Sequence, residues 1–487
     1  MGSVVAISST GSRDVSEPLA EMLRALDHRG AVHGIASPGG ILLPSDPGEV
    51  EGVGPRAIGH NFKRILPEDS PQPVMAGGDP ISFDGRIFSP EGCDGLGGLL
   101  DGAGLGRFER LLARSEGAYA FAALCGPSLV LGRDPLGLKP LYFGRRGGLF
   151  AAASEAKALW AIGMAEVEPF PPGSLCSVEG DGAVFRRVRG IERRRVERLS
   201  PKDAKARLEA LLEGSLRRRL RDVGRAAIAF SGGLDSSIVA RMAAMIGKEV
   251  LLISTSLGGS GELGHAEEAA REIGADLAAI EREPEDVRRD LRAVLWLIED
   301  PDPTKVAVAI PLRWVSEGAS ELGFNVVLTG QGSDECFGGY MRFLEAYSSS
   351  GPRRAKELIF ESIENAHRTN FERDEKVGSA SSVELRAPFA DTEVVNFALS
   401  LPLGLLIDAR SGERKVLLRA LAREIGLSER IAGRPKRAIQ YSTGVHKALG
   451  AIAKGSGRTL REFLRGEFEA IFGPSAGSSP RRPKGSP

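Results

Sequence analysis

The stretch Ser231-Gly232-Gly233-Leu234-Asp235-Ser236-Ser237 constrains this chain more than any other. It follows an apolar run at 226–230 that reads as a buried strand. It precedes a helical run at 237–246 that stops at Gly247. Residues 250–253 and 325–329 read as further strands, and 265–273 as a helix stopped by Gly274. This alternation predicts right-handed crossovers and a parallel α/β sheet. Ligands of such sheets bind where strands end and helices begin. Gly232 and Gly233 remove side chains, so backbone N–H groups can approach an anion. Ser231, Ser236 and Ser237 add hydroxyls, and the helix N-terminus adds a favourable dipole. Asp235 by itself would repel phosphate, so its predicted task is to hold a Mg²⁺ bridging phosphate oxygens. The competing reading is a Gly-Gly turn with Asp235 as helix cap. No GxxxxGK[ST] occurs, which excludes a γ-phosphate-transferring loop of that type.

A second Gly-rich loop, LTGQGSDECFGGY at 328–340, ends the later strand. Two loops at the carboxyl ends of neighbouring strands can face one site, and Asp334 is then placed to share the metal with Asp235. The alternative is a plain surface loop. The chain reads as mostly helical from 340 to 472.

The first 190 residues read differently. Short apolar runs such as 4–7, 118–124 and 129–131, bounded by Gly, Pro and Asp, predict the strands of a layered, sheet-rich domain. The predicted domains are therefore 1–190 and 200–472, with a disordered Gly/Ser/Pro tail at 473–487. Between them Arg186, Arg187, Arg189, Arg193, Arg194 and Arg195 read as a solvated linker, because no aromatic residues interleave to stack on bases.

Lys+Arg and Asp+Glu number 64 each, and this neutrality argues against a chain that coats nucleic acid or an anionic membrane. Four widely spaced cysteines exclude a disulfide scaffold and a CxxC zinc ribbon. No leader pattern and no run of eighteen apolar residues occurs. A soluble cytoplasmic enzyme with small-molecule ligands is the expectation.

The SGGxDS form resembles the pyrophosphate loop of the ATP pyrophosphatase superfamily. Taken with LTGQGSDECFGGY, Arg373-Asp374, VELRAPFAD at 383–391, ERKVLLR at 413–419 and RPKR at 434–437, the chain resembles the glutamine-dependent asparagine synthetase family. GRDPLGLKPLY at 132–142 and ASEAKAL at 153–159 are similar to that family's glutaminase-type domain. The resemblance implies an N-terminal-nucleophile αββα sandwich before a pyrophosphatase-type synthetase domain. It implies that a carboxylate, aspartate's in the namesake enzymes, is adenylated by ATP with loss of pyrophosphate and then amidated by ammonia. It also implies Lys415 as the cation over the adenylate, with Asp235 and Asp334 as catalytic metal ligands. Ala229, Thr255, Thr329 and Gly330 join the loop residues in binding nucleotide. Gln331, Glu384 and Arg386 line the acid's pocket, the last two as an ion pair holding its wall. The competing reading of Lys415 is a solvated helix face.

Two departures stand out. Family members with glutaminase activity begin Met-Cys-Gly, and the freed Cys is the nucleophile; here Gly2 occupies that position, leaving no glutaminase nucleophile, and the nearest thiol is Cys93. Asp84-Gly85-Arg86 replaces Asn-Gly-Glu, setting a cation where glutamine's ammonium would sit, whereas His28-Arg29-Gly30 survives. Free ammonia is then the expected nitrogen source. Gln331 stands where Glu is usual, which opens the identity of the acid. The alternatives are an amide- or lactam-forming synthetase acting on another acid, and a non-catalytic protein with the same loop. An RNA thiolase is weakened by the absence of CxxC and of an aromatic-basic platform. A homodimer and an ammonia-delivering partner both stay open.

Overall fold

A computed structural model describes residues 2–89, 100, 104–258, 262–434 and 443–474. Cys93, the motif residues 435–437 and the predicted tail from 475 onward lie outside the described residues. The chain divides into two compact units. One holds the described residues of Met1–Gly190, Leu295–Pro301 and Arg465–Pro487; the other holds those of Ile191–Val294 and Asp302–Leu464.

The first unit carries two antiparallel sheets. Its strands are β1 (Gly2–Ser9), β2 (Val32–Ser37), β3 (Gly40–Leu42), β4 (Arg56–Phe62), β5 (Val74–Ala76), β6 (Asp79–Ser89) and β7 (Glu116–Cys125). They continue with β8 (Ser128–Arg133), β9 (Tyr142–Arg146), β10 (Leu149–Ala153), β11 (Val167–Pro169), β12 (Ser174–Glu179) and β13 (Gly182–Arg187). A seven-stranded sheet runs β11-β9-β10-β1-β4-β2-β3, and a six-stranded sheet runs β13-β12-β8-β7-β6-β5.

The period of two along β1 builds the layers. Val4 and Ala6 pack with Ala120, Ala122 and Leu131 of the other sheet. Val5 and Ile7 face outward onto helices α1 (Ser16–Arg24) and α3 (Ala156–Ala161). On the far side α2 (Gly106–Arg114) packs Phe108 and Leu112 against Tyr119 and Phe121. The result is an αββα sandwich. Arg186 and Arg187, predicted as linker, lie on exposed strand β13 instead. They can do so because β13 is the outermost strand of its sheet.

The segment 295–301, expected in the second domain, clusters with this unit for chemical reasons. Trp296 meets the His28 ring edge-on at 4.5 Å and lies beneath Lys157 Nζ at 3.9 Å. Glu299 accepts from the first two amides of α3, Ala156 N at 3.1 Å and Lys157 N at 2.6 Å. It caps that helix from a left-handed backbone, φ 57°.

The second unit has one parallel sheet of β14 (Arg225–Ala229), β15 (Glu249–Leu257), β16 (Asp276–Arg282), β17 (Val326–Leu328) and β18 (Glu384–Arg386). The order is β16-β15-β14-β17-β18, with every pairing parallel. Its helices begin with α4 (Pro201–Arg219), α5 (Leu234–Met245), α6 (Glu262–Ile273), α7 (Pro284–Ile298), α8 (Pro303–Glu321) and α9 (Ser333–Cys336). They continue with α10 (Met341–Glu364), α11 (Glu372–Ala380), α12 (Thr392–Ser400) and α13 (Val416–Glu424). Val315 and Ala319 of α8 bury Ala227, Ile253 and Val327 of the sheet. Strand order reverses between β14 and β17, so their carboxyl ends form the switch-point crevice of a doubly wound sheet.

Candidate active site

The two predicted loops leave the sheet side by side at that crevice. Gly232 holds a left-handed φ of 63°, and a Cβ there would meet His265 O and Ala266 Cα at 3.0 Å. α5 starts at Leu234 after a Gly233 cap, so Asp235 lies in its first turn; the reading of Asp235 as the cap is set aside. Ser236 Oγ lies 3.3 Å from Ser231 N and from Gly233 O, knitting the loop loosely. Ser237 Oγ is fully buried and has no hydrogen-bond partner. A Cβ on Gly330 would press on Asp235 Cβ at 2.9 Å, so the second loop lies directly on the first.

Lys415 ties the loops together. It caps α13 from a left-handed backbone, φ 60°, and is 1% exposed, so it is no solvated helix face. Lys415 Nζ donates to both carboxylate oxygens of Asp235 at 2.7 Å and to Ser333 Oγ at 3.1 Å. It also pairs with Asp334 Oδ1 at 2.6 Å. Gly339 is required here by space: a Cβ would fall 1.9 Å from Asp334 Oδ1 and 2.5 Å from Lys415 Cε. Two carboxylates thus converge on one cation.

The remaining predicted residues fall into two groups. Thr329 is buried beside the site, its N–H bonded to Arg386 O at 2.9 Å, and Ala229 ends β14 at the root of the first loop. Thr255 Oγ1 is committed to Ile280 O at 3.0 Å across the sheet. Arg386 pairs with Glu384 at 2.7 Å and with Asp222 at 2.6 Å, a buried ionic cluster.

Behind the second loop lies a polar cluster whose Glu335, Tyr340 and Asp374 stand in the quoted motifs without an assigned role, and whose Asn370 stands in none. Glu335 Oε1 accepts from Asn370 Nδ2 at 2.6 Å and from the Tyr340 hydroxyl. Burial, aided by Asp334, pushes the Glu335 carboxyl up. Asp374 is likewise raised by burial, against the pull of Arg373 and the Gln331 side chain. The Arg373-Asp374 motif is visible in the sequence, but its meeting with Gln331 from a distant loop is not. Beside the first loop a cleft of about 380 Å³ is lined by Gly232, His265, Glu268, Ser428, Arg430 and Arg434.

The first unit carries its own charged cluster around Gly2. Gly2 N–H donates to Asp84 Oδ1 at 3.0 Å, and Arg29 Nε donates to Gly2 O at 2.7 Å. Arg29 also pairs with Asp84 at 3.2 Å and Glu155 at 2.8 Å, and Lys139 reaches Asp84 at 3.4 Å. Lys157 pairs with Glu155 and lies 3.8 Å from Glu299. The GRDPLGLKP motif is the turn that delivers Lys139: Asp134 accepts from Leu136 N, Leu138 N and Lys139 N at 2.9–3.1 Å.

Burial alone would raise the Asp84 carboxyl, but Lys139 and Arg29 hold it down at about 2. His28, Lys157 and Arg29 likewise overcome burial and keep Glu155 well below the usual carboxylate range. Burial pushes His60 down to about 3. A Cβ at Gly2 would lie 1.7 Å from Asn61 O and 2.5 Å from His60 Nε2, so position 2 has no room for a side chain. Arg86, expected beside a ligand's ammonium, is paired with Asp69 at 2.5 Å.

The asparagine synthase family model matches residues 207–357 and 345–467, and a glutamine amidotransferase domain model matches 102–161. A putative glutamine-hydrolysing asparagine synthetase of Methanocaldococcus jannaschii is 32% identical over 73% of this chain and 75% of its own length. Asparagine synthetase B of Escherichia coli is 29% identical over 68% of this chain, which spans 61% of that enzyme. The human asparagine synthetase is 28% identical over 70% of this chain and 65% of its own. A solved Bacillus subtilis glutamine phosphoribosylpyrophosphate amidotransferase aligns at 18% identity over 57% of this chain and 65% of its own. Its TM-score of 0.33 is too weak a likeness to argue from. With more than half its length matched by one family model and three quarters of an archaeal relative covered, the chain belongs to the asparagine synthase family and is a carbon–nitrogen ligase.

Proposed function

We propose that this ligase adenylates the side-chain carboxylate of aspartate with ATP, releases pyrophosphate, and amidates the adenylate with free ammonia. The observation that carries the reading is Lys415, buried between Asp235 and Asp334 at 2.6–2.7 Å at the end of two glycine-rich loops. Breaking the α–β phosphate bond builds charge on the departing pyrophosphate. A fixed ammonium and the α5 N-terminus are suited to receive it. Asp235 and Asp334 would hold Mg²⁺, since carboxylate oxygens are its preferred donors and both carboxylates already converge on one cation. When bound, such an ion neutralises phosphate charge.

Free ammonia follows from the state of Gly2. A nucleophile at that position needs a side chain, and the space for one is taken by Asn61 O and His60. The Asp84 carboxylate, which would have to meet a ligand, is committed to Gly2, Arg29 and Lys139. A different carboxylic acid fits the same chemistry, and Gln331 in place of the expected Glu is the reason to test it. The ligands are small and water-soluble, and no helix among the described residues is long and apolar enough to cross a membrane. We place the reaction in the cytoplasm.

The test is to incubate the protein with ATP, Mg²⁺ and aspartate, with either ammonium or glutamine, and to measure pyrophosphate, AMP and asparagine. Asparagine from ammonium but not from glutamine is the expected result. Glutamate release from glutamine would refute the nitrogen source, and pyrophosphate with another acid only would refute aspartate.

A further inference from the structure

Lys415 holds a backbone that few side chains adopt, φ 60° and ψ 37°. A left-handed turn is unfavourable at a residue with a Cβ, and it persists only where its surroundings fix it. Val416 N donates to Leu406 O at 3.2 Å, and Arg419 N donates to Lys415 O at 2.9 Å. The Arg419 side chain adds a further bond, from Nε to Arg414 O at 2.8 Å. Arg419, in the first turn of α13, thus grips the chain on either side of Lys415.

The rest of that guanidinium reaches a different segment. Nη1 donates to Ala432 O, and Nη2 donates to Arg434 O at 3.1 Å. These carbonyls end the short helix Glu429–Ala432 and open the RPKR stretch. Arg434 Nη1 in turn comes within 3.5 Å of Gly232 O, so this segment abuts the first glycine-rich loop. Arg419 is 8% exposed, and the Glu413 carboxylate stands 3.8 Å from its Nε. A buried cation gains more from a close carboxylate than from neutral carbonyls, so charge pairing does not account for Arg419. What its planar fork does is join carbonyls of two segments, a geometry that the point charge of a lysine cannot copy.

We propose that Arg419 is a positioning residue of the ligase, which aims Lys415 by tying its strained turn to the segment 432–434. It acts through Lys415 and not on a reacting atom. The role rests on the proposed task of Lys415 for its purpose but not for its measurement. Without the fork, Lys415 is free to relax toward ordinary helical backbone, and its ammonium leaves the gap between Asp235 and Asp334. A shift of about 1 Å in a group that meets the transition state costs on the order of 10²-fold in rate.

The test is Arg419→Met in the full chain, which keeps a long side chain and removes every donor of the fork. Two readings are taken per folded molecule. Brief acetylation followed by mass spectrometry measures how open Lys415 is, with Lys376 of α11, 2% exposed, as the buried control. Lys415 should label about tenfold faster than in the wild type, and Lys376 within about twofold of it. Pyrophosphate release should lose about 10²-fold in kcat with KM for ATP within about threefold, because the two loops keep their own contacts. A residue that merely holds the fold would lower the melting temperature and leave both readings in place. Where Arg419→Met fails to fold, Arg419→Lys, which keeps the charge and loses the fork, gives the same comparison. Unchanged labelling of Lys415, an equal rise at Lys376, or wild-type kcat in the folded variant overturns the proposal. A wild type that releases no pyrophosphate, while the variant still exposes Lys415, overturns the ligase reading instead.

Discussion

Each unit buries a knot of charge, and the two knots differ in their balance. Around Gly2, Arg29, Lys139 and Lys157 face Asp84, Glu155 and Glu299, three cations to three carboxylates, all buried and paired with one another. Around Lys415 one cation faces two carboxylates whose side chains keep 15% and 17% of their exposure. A balanced, closed cluster has spent its electrostatics on itself and holds a fold together. An unbalanced cluster under glycine-rich loops keeps an anionic surplus and open donors for ligands. Charge density alone does not identify a site; uncompensated charge with access does.

The largest expected effect tests the open cluster. Asp235→Ala should cut pyrophosphate release on the order of 10³-fold or more, since it removes both a partner of Lys415 and the proposed metal ligand. Residual activity within tenfold, measured with saturating ATP, would break the assigned role.

The next effect belongs to the closed cluster and to pH. In the unfolded chain His60 protonates near 6.5, while in the folded chain it stays neutral down to about 3. Between these values the unfolded chain binds more protons, so stability is lost as pH falls through that window. The loss is on the order of 5 kcal/mol at most. Asp84, lowered from 3.8 to about 2, contributes stability present above pH 4 that is lost as pH falls toward 2. Urea midpoints at pH 7, 5 and 4 should decline, and His60→Asn should flatten the decline above pH 4. An unchanged slope in the variant would remove His60 from the account.

Breaking the balance comes third. Glu155→Gln leaves Arg29 and Lys157 facing an uncharged group in a buried place, at a cost of about 3–5 kcal/mol. Differential scanning calorimetry should show it, with pyrophosphate release retained in whatever protein remains folded. The smallest effect is the most pointed. Gly2→Cys should destabilise by about 1–3 kcal/mol through overpacking, and should release no glutamate from glutamine. A Gly2→Cys protein that hydrolyses glutamine at full stability would make the closed cluster a working site and erase the contrast.

Much of this was legible beforehand. The alternation of short apolar runs with Gly-stopped helices announced a parallel sheet, and β14, β15 and β17 cover the predicted segments within a few residues. The loops around Asp235 and Asp334 were readable because their chemistry lies in contiguous residues. β16 and β18 went unread, as half-buried or three-residue strands carry little periodic signal. The path of 295–301 was equally hidden, since Glu299 caps a helix more than a hundred residues earlier in the chain.

By itself, then, the sequence determined the class of both units and where the two glycine-rich loops meet the sheet, because both are written in local patterns of Gly, apolar and acidic residues. Only the tertiary structure decided that Lys415 is a buried cation rather than a solvated one. The same holds for the room that Asn61 and His60 deny a side chain at position 2, and for the path of 295–301. Each of these is a meeting of residues far apart in sequence, and the burial and charge that give them meaning exist only once the chain is packed.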